Sequence, residues 1–387
     1  MVEAAPRVCR IPVATPHVPA VERVLADLAA ILRSGRLTKG PAVERLEAAL
    51  AARLGVRHAV AVSSCTIGLM LVYRGLAGAG RGREQSRDEV VMPSFTFLAA
   101  PAAAVWSGLK PVFIDVDPAT ANIEPEEVAR SITPQTVAIC GCHTFGNPCD
   151  VAGLVRVADA HGLPLVIDAA HAFGARVAGR PVGAGGTAQV FSLSPTKLLV
   201  AGEGGIVATD CDWLAAWVRA GREYGHDGSY DPLFAGLNGR LPELSAALAV
   251  ASLELLDQVA AARTATAAAY RRRLEMLPGI GFVESAASVE PSYKDFSITL
   301  DAAQLGTTRD AVRRALADRG IETRCYFDPP CHRQTAFRQF HDARRPLPIT
   351  ERLASRSLAL PMGPHVDEAV VAEVCGVIAG VAQGCLA

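Results

Sequence analysis

The sequence has no excess of charge of either sign, because its 38 lysines and arginines nearly cancel its 39 aspartates and glutamates. This balance excludes a global field that would attract nucleic acid or an anionic membrane surface, although a local phosphate pocket is still compatible with it. No segment reaches the ~20 apolar residues of a membrane span, and residues 1–13 contain no apolar core of signal-peptide length. We expect a cytoplasmic protein that binds neither nucleic acid nor membranes.

Paired metal-ligand motifs are also missing, since the sequence contains no Cys-x-x-Cys and no His-x-x-x-His. Its ten cysteines are scattered through a long chain without a secretion signal, which favours reduced thiols over a disulfide scaffold. Cys140 and Cys142 are two positions apart, but both lie along a strand predicted from the apolar run around them. We therefore expect no metal site.

The first part of the chain alternates helical patterns with short apolar runs of the length typical of buried strands. Helices are predicted at 18–32, 43–54, 67–76, 97–106 and 151–161, and strands at 58–63, 89–92, 111–116, 137–142, 163–167, 189–193 and 205–209. Strands buried on both faces and joined by helices predict an α/β fold, in which a doubly wound, mostly parallel sheet of about seven strands is sandwiched by helices.

After Asp212 the pattern changes. The elements predicted there are helices at 242–259, 260–277, 308–319 and 367–381 and a strand at 296–300. We therefore predict a large α/β domain at residues 12–255 and a small C-terminal α+β domain at residues 256–387. Residues 80–87, rich in glycine and arginine, are predicted to form an exposed loop.

Lys197 stands out because it follows an apolar run, at 189–193, and precedes a glycine-rich turn into a second run, at 206–208. Apolar neighbours would lower the proton affinity of its amine and let it act as a Schiff-base nucleophile. An isolated lysine, however, usually does no more than solvate a surface. The interpretation therefore depends on other parts of the chain.

Three further groups lie where predicted strands end, which is where ligands gather in such sheets. Asp168 follows one strand and could pair with a protonated ring nitrogen, or it could cap the next turn. Residues 63–68 open a helix, with Cys65 and Thr66 at a start that suits a phosphate, although a simple helix cap explains this composition too. Phe97 could stack on a ring or belong to the core.

Taken together, these groups match one cofactor. Pyridoxal 5′-phosphate (PLP) needs an amine to form an imine, an acid partner for its pyridine nitrogen, a phosphate anchor and a stacking surface. No other common cofactor fits the set as well.

Several segments resemble the DegT/DnrJ/EryC1/StrS family of sugar aminotransferases, which are fold-type-I PLP-dependent transferases. The resemblance keeps the family's order of motifs from about Ile11 to about Pro361. Its segments are Leu37-Thr38-Lys39-Gly40-Pro41, Ser64-Cys65-Thr66, Pro93-Ser94-Phe95-Thr96-Phe97, Pro111 to Asp117, Asp168 to Ala175, Phe191 to Gly205 and Gly236 to Leu241.

The resemblance implies a role for each matching residue on the cofactor ring. Lys197 would form the imine with PLP and then move the proton during transamination. Asp168 would hold the proton on the pyridine nitrogen. Phe97 would stack on the ring, and His171 takes the position of a family glutamine or histidine near the phenolic oxygen.

The resemblance also implies how the phosphate is held. Cys65, Thr66 and Ser192 match the family's phosphate cradle. Asn238 matches a residue that reaches the phosphate bound by the other subunit. The implied assembly is a homodimer with shared active sites.

The sequence departs from the family pattern in two places. Cys65 replaces the usual glycine, which is tolerable if only its backbone N–H is used. Phe145 stands where many members have tyrosine, which puts a hydroxyl contact to substrate in doubt. The segment from Tyr326 to His332 resembles a family stretch near the substrate, without an assigned role here.

Three functions are compatible with these residues. The first is an aminotransferase that moves an amino group from an amino acid, which the resemblance implies is L-glutamate, to a ketone of a nucleotide-linked deoxysugar in amino-sugar or antibiotic biosynthesis. The second acts on a cyclitol ketone or resembles the enzymes that make aminohydroxybenzoate. The third is a non-catalytic regulator that binds PLP or a sugar nucleotide, which would not need Lys197 and Asp168. Family members that carry out deoxysugar 3-dehydration have histidine at the lysine position, so Lys197 argues against that branch of the family.

Overall fold

The computed structural model describes residues 9–79 and 87–384. The loop predicted at 80–87 therefore lies almost wholly outside the described residues. The helices are α1 (Val21–Ser34), α2 (Pro41–Leu54), α3 (Cys65–Ala79), α4 (Ala99–Trp106), α5 (Pro125–Ser131), α6 (Val151–His161), α7 (Asp212–Gly221), α8 (Glu243–Glu254), α9 (Leu256–Leu274), α10 (Ala302–Leu305), α11 (Arg309–Asp318), α12 (Pro348–Arg356) and α13 (Glu368–Ala382). The strands are β1 (His58–Val62), β2 (Glu89–Pro93), β3 (Lys110–Ile114), β4 (Thr136–Cys142), β5 (Leu165–Asp168), β6 (Arg176–Val177), β7 (Arg180–Pro181), β8 (Ala188–Ser192), β9 (Gly205–Thr209), β10 (Ile280–Phe282), β11 (Val289–Glu290), β12 (Phe296–Leu300) and β13 (Ser357–Leu360).

The predicted sheet is confirmed. Seven strands form it in the order β1-β9-β8-β5-β4-β2-β3. The pairs from β8 to β3 are parallel, whereas β9 runs antiparallel to both β1 and β8. Because the parallel strands share a direction, the residues that follow β2, β4, β5 and β8 meet at one edge of the sheet.

Two apolar clusters cover the two faces of this sheet. Along β5, Leu165 and Ile167 belong to one cluster and Val166 to the other. Successive side chains of a strand point to opposite faces, so a strand covered on both faces must be apolar throughout. This explains why the sequence shows continuous apolar runs rather than alternation.

A second, three-stranded antiparallel sheet (β10-β12-β13) lies in the C-terminal part. It packs with parts of α9, α11 and α13 in a separate apolar cluster. Helix α9 belongs to both regions, because Leu256 and Val259 pack in the core of the large sheet while Tyr270 and Leu274 pack in the C-terminal cluster. We propose that the division at residues 255/256 separates the two domains at the start of this shared helix.

The break between α8 and α9 lies at Leu255, earlier than the break predicted near residue 260. The two helices meet at 60°, but no proline or glycine marks the bend, and Leu255 keeps a near-helical backbone. The apolar pattern therefore continues through it.

Among the described residues no single helix could cross a membrane, and only the bent pair α8–α9 matches a span by length and composition.

The segment before α2 is held by a buried carboxylate. Glu243, at the start of α8, is 1% exposed. Its oxygens accept hydrogen bonds from the backbone N–H groups of Gly40, Ala42 and Val43, each at 2.9 Å. The first N–H groups of a helix have no partner inside the helix, and an anion at that end is stabilised by the helix dipole. Glu243 thus caps α2 and fixes the Leu37-to-Pro41 segment against the large domain.

Candidate active site

A cavity of about 330 Å³ opens at the edge of the sheet where the parallel strands end. Seven of the residues predicted from the sequence line it: Cys65, Thr66, Phe97, Asp168, His171, Ser192 and Lys197. Asn238 does not line it. The fold therefore brings together residues that are up to 132 positions apart, from 65 to 197, at the place where such sheets bind ligands.

Lys197 lies in the loop between β8 and β9. Its backbone N–H donates to the carbonyl of Ser194 at 3.0 Å, so a tight turn presents the side chain to the cavity. Burial lowers the pKa of the Lys197 amine to about 8, and the positive charge of Lys294 acts in the same direction. Asp295 and Asp168 oppose this lowering. Near neutral pH a useful fraction of the amine is therefore uncharged, as a nucleophile or a general base requires.

Asp168 is the last residue of β5, and it is 7% exposed. Its Oδ1 accepts a hydrogen bond from the backbone N–H of Ala170 at 3.0 Å, and the Cys65 Sγ lies 3.9 Å away. Burial raises the pKa of Asp168, while the Ala170 N–H and the charge of Lys197 counteract the rise. A buried carboxylate of this kind is stabilised by a cationic partner, such as a protonated ring nitrogen.

Hydroxyl groups and a helix start form another part of the cavity lining. Ser64, Thr66, Ser192 and Ser194 line it, and helix α3 begins at Cys65. The first backbone N–H groups of a helix lack partners within the helix and suit a phosphate. Ser64 Oγ accepts from the Ile67 N–H at 3.1 Å and so also caps the helix. Both interpretations of this segment, cap and anion cradle, are therefore compatible with its geometry.

Gly205 explains part of the glycine-rich segment after Lys197. A Cβ atom at this position would lie 2.5 Å from the backbone N of Cys65 and from the carbonyl C of Ser64. Only glycine lets β9 approach the start of α3 so closely. The spacing between the lysine loop and the helix start therefore depends on this residue.

An aromatic ring and an imidazole complete the predicted set. Phe97 follows β2 and is 49% exposed, so one part of its ring is free to contact a ligand. The pKa of His171 lies well below its ordinary value because the ring is buried and the charges of Lys197 and Lys294 are close. His171 is therefore neutral at physiological pH and can exchange a hydrogen bond without adding charge.

The sequence analysis missed an ion pair in the same cavity. Lys294 and Asp295 line it, and the Lys294 Nζ donates to the Asp295 Oδ1 at 2.8 Å with both side chains buried. They precede strand β12 of the small sheet, whereas ligand-binding residues in such folds are expected at the carboxyl ends of strands in the large sheet. The sequence feature that could have identified them is a lysine–aspartate pair directly before the strand predicted at 296–300.

Phe145 does not line the cavity. Its ring stacks on Phe327 at 5.5 Å and meets Phe95 edge-on at 6.0 Å, and it is 4% exposed. The residue is therefore part of an apolar cluster beneath the site. The segment from Tyr326, in contrast, does reach the cavity, since Tyr326 and Phe327 both line it.

Asn238 is exposed and lies in the segment between α7 and α8. The carbonyl of its neighbour Gly239 accepts a hydrogen bond from the N–H of Ser63 at 2.8 Å. The segment is thus fixed beside the end of β1, but the Asn238 side chain is outside the cavity of its own chain. Its predicted role toward a second subunit stays a prediction.

Comparisons with known proteins agree with this arrangement. The model of the DegT/DnrJ/EryC1/StrS aminotransferase family matches residues 20–379. A dTDP-3-amino-3,4,6-trideoxy-alpha-D-glucose transaminase of Streptomyces venezuelae is 38% identical over 343 residues, which make up 88% of this chain and 87% of the relative. A pleiotropic regulatory protein of Geobacillus stearothermophilus is 36% identical, over 90% of this chain and 91% of that protein.

Among solved structures, DesI in the presence of its TDP-sugar product superimposes with a TM-score of 0.89 at 39% identity. The superposition covers 96% of this chain and 93% of that one. Since the family model spans nearly the whole sequence and the fold agrees over the same length, this chain belongs to the DegT/DnrJ/EryC1/StrS aminotransferase family.

Proposed function

We propose that the cavity binds PLP and that the enzyme uses it to move an amino group from L-glutamate to a keto group of a nucleotide-linked deoxysugar. The observation that carries the proposal is the presence, in one cavity, of Lys197 with a lowered pKa and the buried carboxylate of Asp168. The other lining groups fit the same cofactor. Hydroxyls beside a helix start suit its phosphate, and Phe97 offers a face for its ring.

When bound, PLP supplies an electron-withdrawing ring next to the carbon whose amino group is exchanged. The uncharged amine of Lys197 takes the proton from that carbon of the donor and returns a proton when the acceptor is aminated. Asp168 would keep a proton on the ring nitrogen, because its buried anion would be stabilised by that charge. Neutral His171 would offer the ring a hydrogen bond without changing the balance of charge.

The proposed acceptor rests on the relatives. One similar protein is named a transaminase of a dTDP-linked amino sugar, and the structure of another was determined with a TDP-sugar product. Both names include a TDP-linked sugar, and the first is a deoxysugar with an amino group. Transamination forms such an amino group from a keto group, so we propose a keto group of a nucleotide-linked deoxysugar as the acceptor. The donor, L-glutamate, is the choice implied by the family resemblance.

The test is a pair of half-reactions followed by absorbance. The PLP-loaded enzyme is mixed with L-glutamate, and separately with a panel of amino-sugar nucleotides and aminocyclitols. We expect conversion to the pyridoxamine form with glutamate and with an amino-sugar nucleotide. The Lys197→Ala variant should bind PLP but lose turnover by about 10³-fold or more, as is typical when a covalent catalyst is removed.

Other outcomes of this test would replace the proposal. Conversion by aminocyclitols alone would indicate a cyclitol aminotransferase. Binding without any conversion in the parent enzyme would indicate a regulator. Multiple turnovers by Lys197→Ala would contradict the assignment of the lysine.

We also propose a homodimer in which Asn238 serves the site of its partner. The exposed position of Asn238 beside the end of β1 supports this, because a doubly charged phosphate gains from an additional polar donor. Inactive Lys197→Ala chains are mixed with inactive Asn238→Asp chains. Heterodimers should then have one site with both changes and one with neither, and they should recover up to about half of the normal activity. Background activity in verified heterodimers would contradict the shared site.

A further inference from the structure

Lys294 is a buried cation in the cavity to which the proposed chemistry assigns no contact with cofactor or substrate. Its side chain is 6% exposed, and its Nζ lies 2.8 Å from Asp295 Oδ1 and 5.7 Å from the centre of the Tyr326 ring. An ammonium group has three N–H donors. Within residues 9–79 and 87–384, Asp295 is the hydrogen-bond acceptor found for this group, so two donors are available to a ligand in the cavity.

The backbone around Lys294 is held in place. Its carbonyl accepts from the Nη1 of Arg263 at 2.9 Å, and the neighbouring Ser292 Oγ donates to the carbonyl of His171 at 2.6 Å. The first bond joins Lys294 to helix α9, and the second joins the segment before β12 to the loop that carries His171. The backbone of Lys294 is therefore fixed relative to the wall of the cavity formed by the large domain, and Asp295 holds its ammonium group.

Only one positively charged side chain among the described lining residues is available to bind an anionic group of a substrate. Its lysines are Lys197 and Lys294, and none of its described lining residues is an arginine. Lys197 must lose its charge to react, so it does not hold an anion at that step. Asp168 is assigned to the ring nitrogen. Lys294 is thus the side chain that can meet a carboxylate, and Asp295 orients it.

We propose that Lys294 binds the carboxylate attached to the reacting carbon of the amino donor. This inference rests on the proposed transamination and specifies how its donor is recognised. The amine of Lys197 must reach the hydrogen on that carbon, and the carboxylate is one bond away from the same carbon. Lys294 and Lys197 line the same cavity, and the charge of Lys294 helps to lower the pKa of the Lys197 amine. A carboxylate between the two lysines therefore lies where the reaction needs it.

The experiment compares binding of amino acids with binding of amino-sugar nucleotides in Lys294→Met and in the double variant Lys294→Met/Asp295→Asn. The double variant removes the buried pair together and so leaves no unpaired carboxylate that could unfold the chain. Calorimetry with 2-methylglutamate, which has no removable proton on the reacting carbon, gives a dissociation constant without turnover. Half-reactions with L-glutamate, L-alanine and an amino-sugar nucleotide give the apparent constants for reactive ligands.

We expect both variants to bind 2-methylglutamate about 10- to 100-fold more weakly, the usual effect of losing a hydrogen bond to a charged group. The apparent constants for glutamate and alanine should rise by similar factors, while that for the amino-sugar nucleotide stays within about threefold. Lys294→Arg should restore much of the affinity. Lys110→Met, which removes the lysine of an exposed pair with Asp88 at 2.8 Å, should match the parent.

Three results would overturn the inference. An equal loss for the amino-sugar nucleotide would assign Lys294 to a phosphate or to the general shape of the site. A loss for glutamate but not for alanine would assign it to the distant carboxylate. Unchanged binding of 2-methylglutamate by the variants, or no binding of it by the parent enzyme, would show that Lys294 does not bind the carboxylate of the amino donor. Failure of the proposed function is recognised separately, because the parent enzyme would then convert no amino acid and no amino sugar.

Discussion

The cofactor-free protein should capture PLP at a rate that rises with pH and becomes constant above about pH 8. Only the uncharged amine of Lys197 can attack the aldehyde. Burial, aided by the charge of Lys294, lowers the pKa of this amine from 10.5 to about 8. Raising the pH through that value removes the proton, and below it each pH unit reduces the uncharged fraction about tenfold. The rate should follow that fraction.

The size of the effect follows from the pKa. At pH 7 roughly 10% of an amine with a pKa of about 8 is uncharged, compared with roughly 0.03% of an amine with a pKa of 10.5. Lys197 should therefore react about 300-fold faster than an ordinary surface lysine of equal intrinsic reactivity. Lys294→Met removes a neighbouring positive charge, so it should raise the pKa of Lys197, move the plateau to higher pH and slow capture at pH 7.

Rapid mixing of cofactor-free protein with excess PLP, followed by the absorbance of the imine between pH 6 and 10, measures this dependence. Lys110→Met is the control, because it removes a lysine that is exposed and paired with Asp88. A rate independent of pH between 6 and 8 in the parent, or a plateau reached only above pH 10, would refute the lowered pKa. A plateau that moves to lower pH in Lys294→Met would refute the assigned influence of Lys294.

Three substitutions test other parts of the structure. Asp168→Asn should retain PLP, measured by its absorbance, but lower kcat, because an amide does not stabilise a charged ring nitrogen; an unchanged kcat would make the residue a structural cap. Gly205→Ala would place a Cβ 2.5 Å from the backbone at the start of α3 and should weaken PLP binding about tenfold in equilibrium dialysis. Gly376→Ala in α13, where nothing lies within 4 Å of the added Cβ, should leave PLP binding unchanged, and equal effects would contradict the steric argument. Glu243→Ala leaves three backbone N–H groups without the acceptor that they contact at 2.9 Å. It should lower the free energy of unfolding, measured in urea at fixed protein concentration, by about 3 kcal/mol. Glu254→Ala, at an exposed carboxylate, is the control, and an equally small loss in both variants would count against the cap.

Much of the large domain was predictable because its strands are buried on both faces. The predicted strand at 205–209 has an apolar centre, at 206–208, and the observed strand Gly205–Thr209 has the same bounds and is buried throughout. The strand order was not predictable, because β9 inserts antiparallel between β1 and β8 although it follows both in sequence. An apolar run does not indicate whether the adjacent strand in the sheet will be parallel or antiparallel to it. The bend at Leu255 escaped prediction for a similar reason, since it has no sequence marker.

The residues of the candidate site were also predictable only in part. Residues at the carboxyl ends of the large-sheet strands, such as Asp168, could be found because the fold class says where ligands gather. Lys294 and Asp295 enter the cavity from the small sheet, at the amino end of β12. Their position depends on how the C-terminal region packs against the large domain, and no local pattern carries that information. The sequence therefore predicted the residues that we assign to the cofactor, but not Lys294 and Asp295, which we assign to the amino donor.

The cysteine that replaces the usual family glycine shows why a departure from the pattern can preserve a site. Cys65 Sγ lies 3.5 Å from the carbonyl of Val190 and 3.9 Å from Asp168 Oδ1, so the side chain points into the protein while its backbone begins α3. Burial and the nearby Asp168 carboxylate raise the pKa of the thiol well above its ordinary value. The group therefore keeps its proton and adds no second anion beside Asp168. As a neutral donor it stabilises the charged form of the carboxylate, which is the form that the proposed pairing with a ring nitrogen requires.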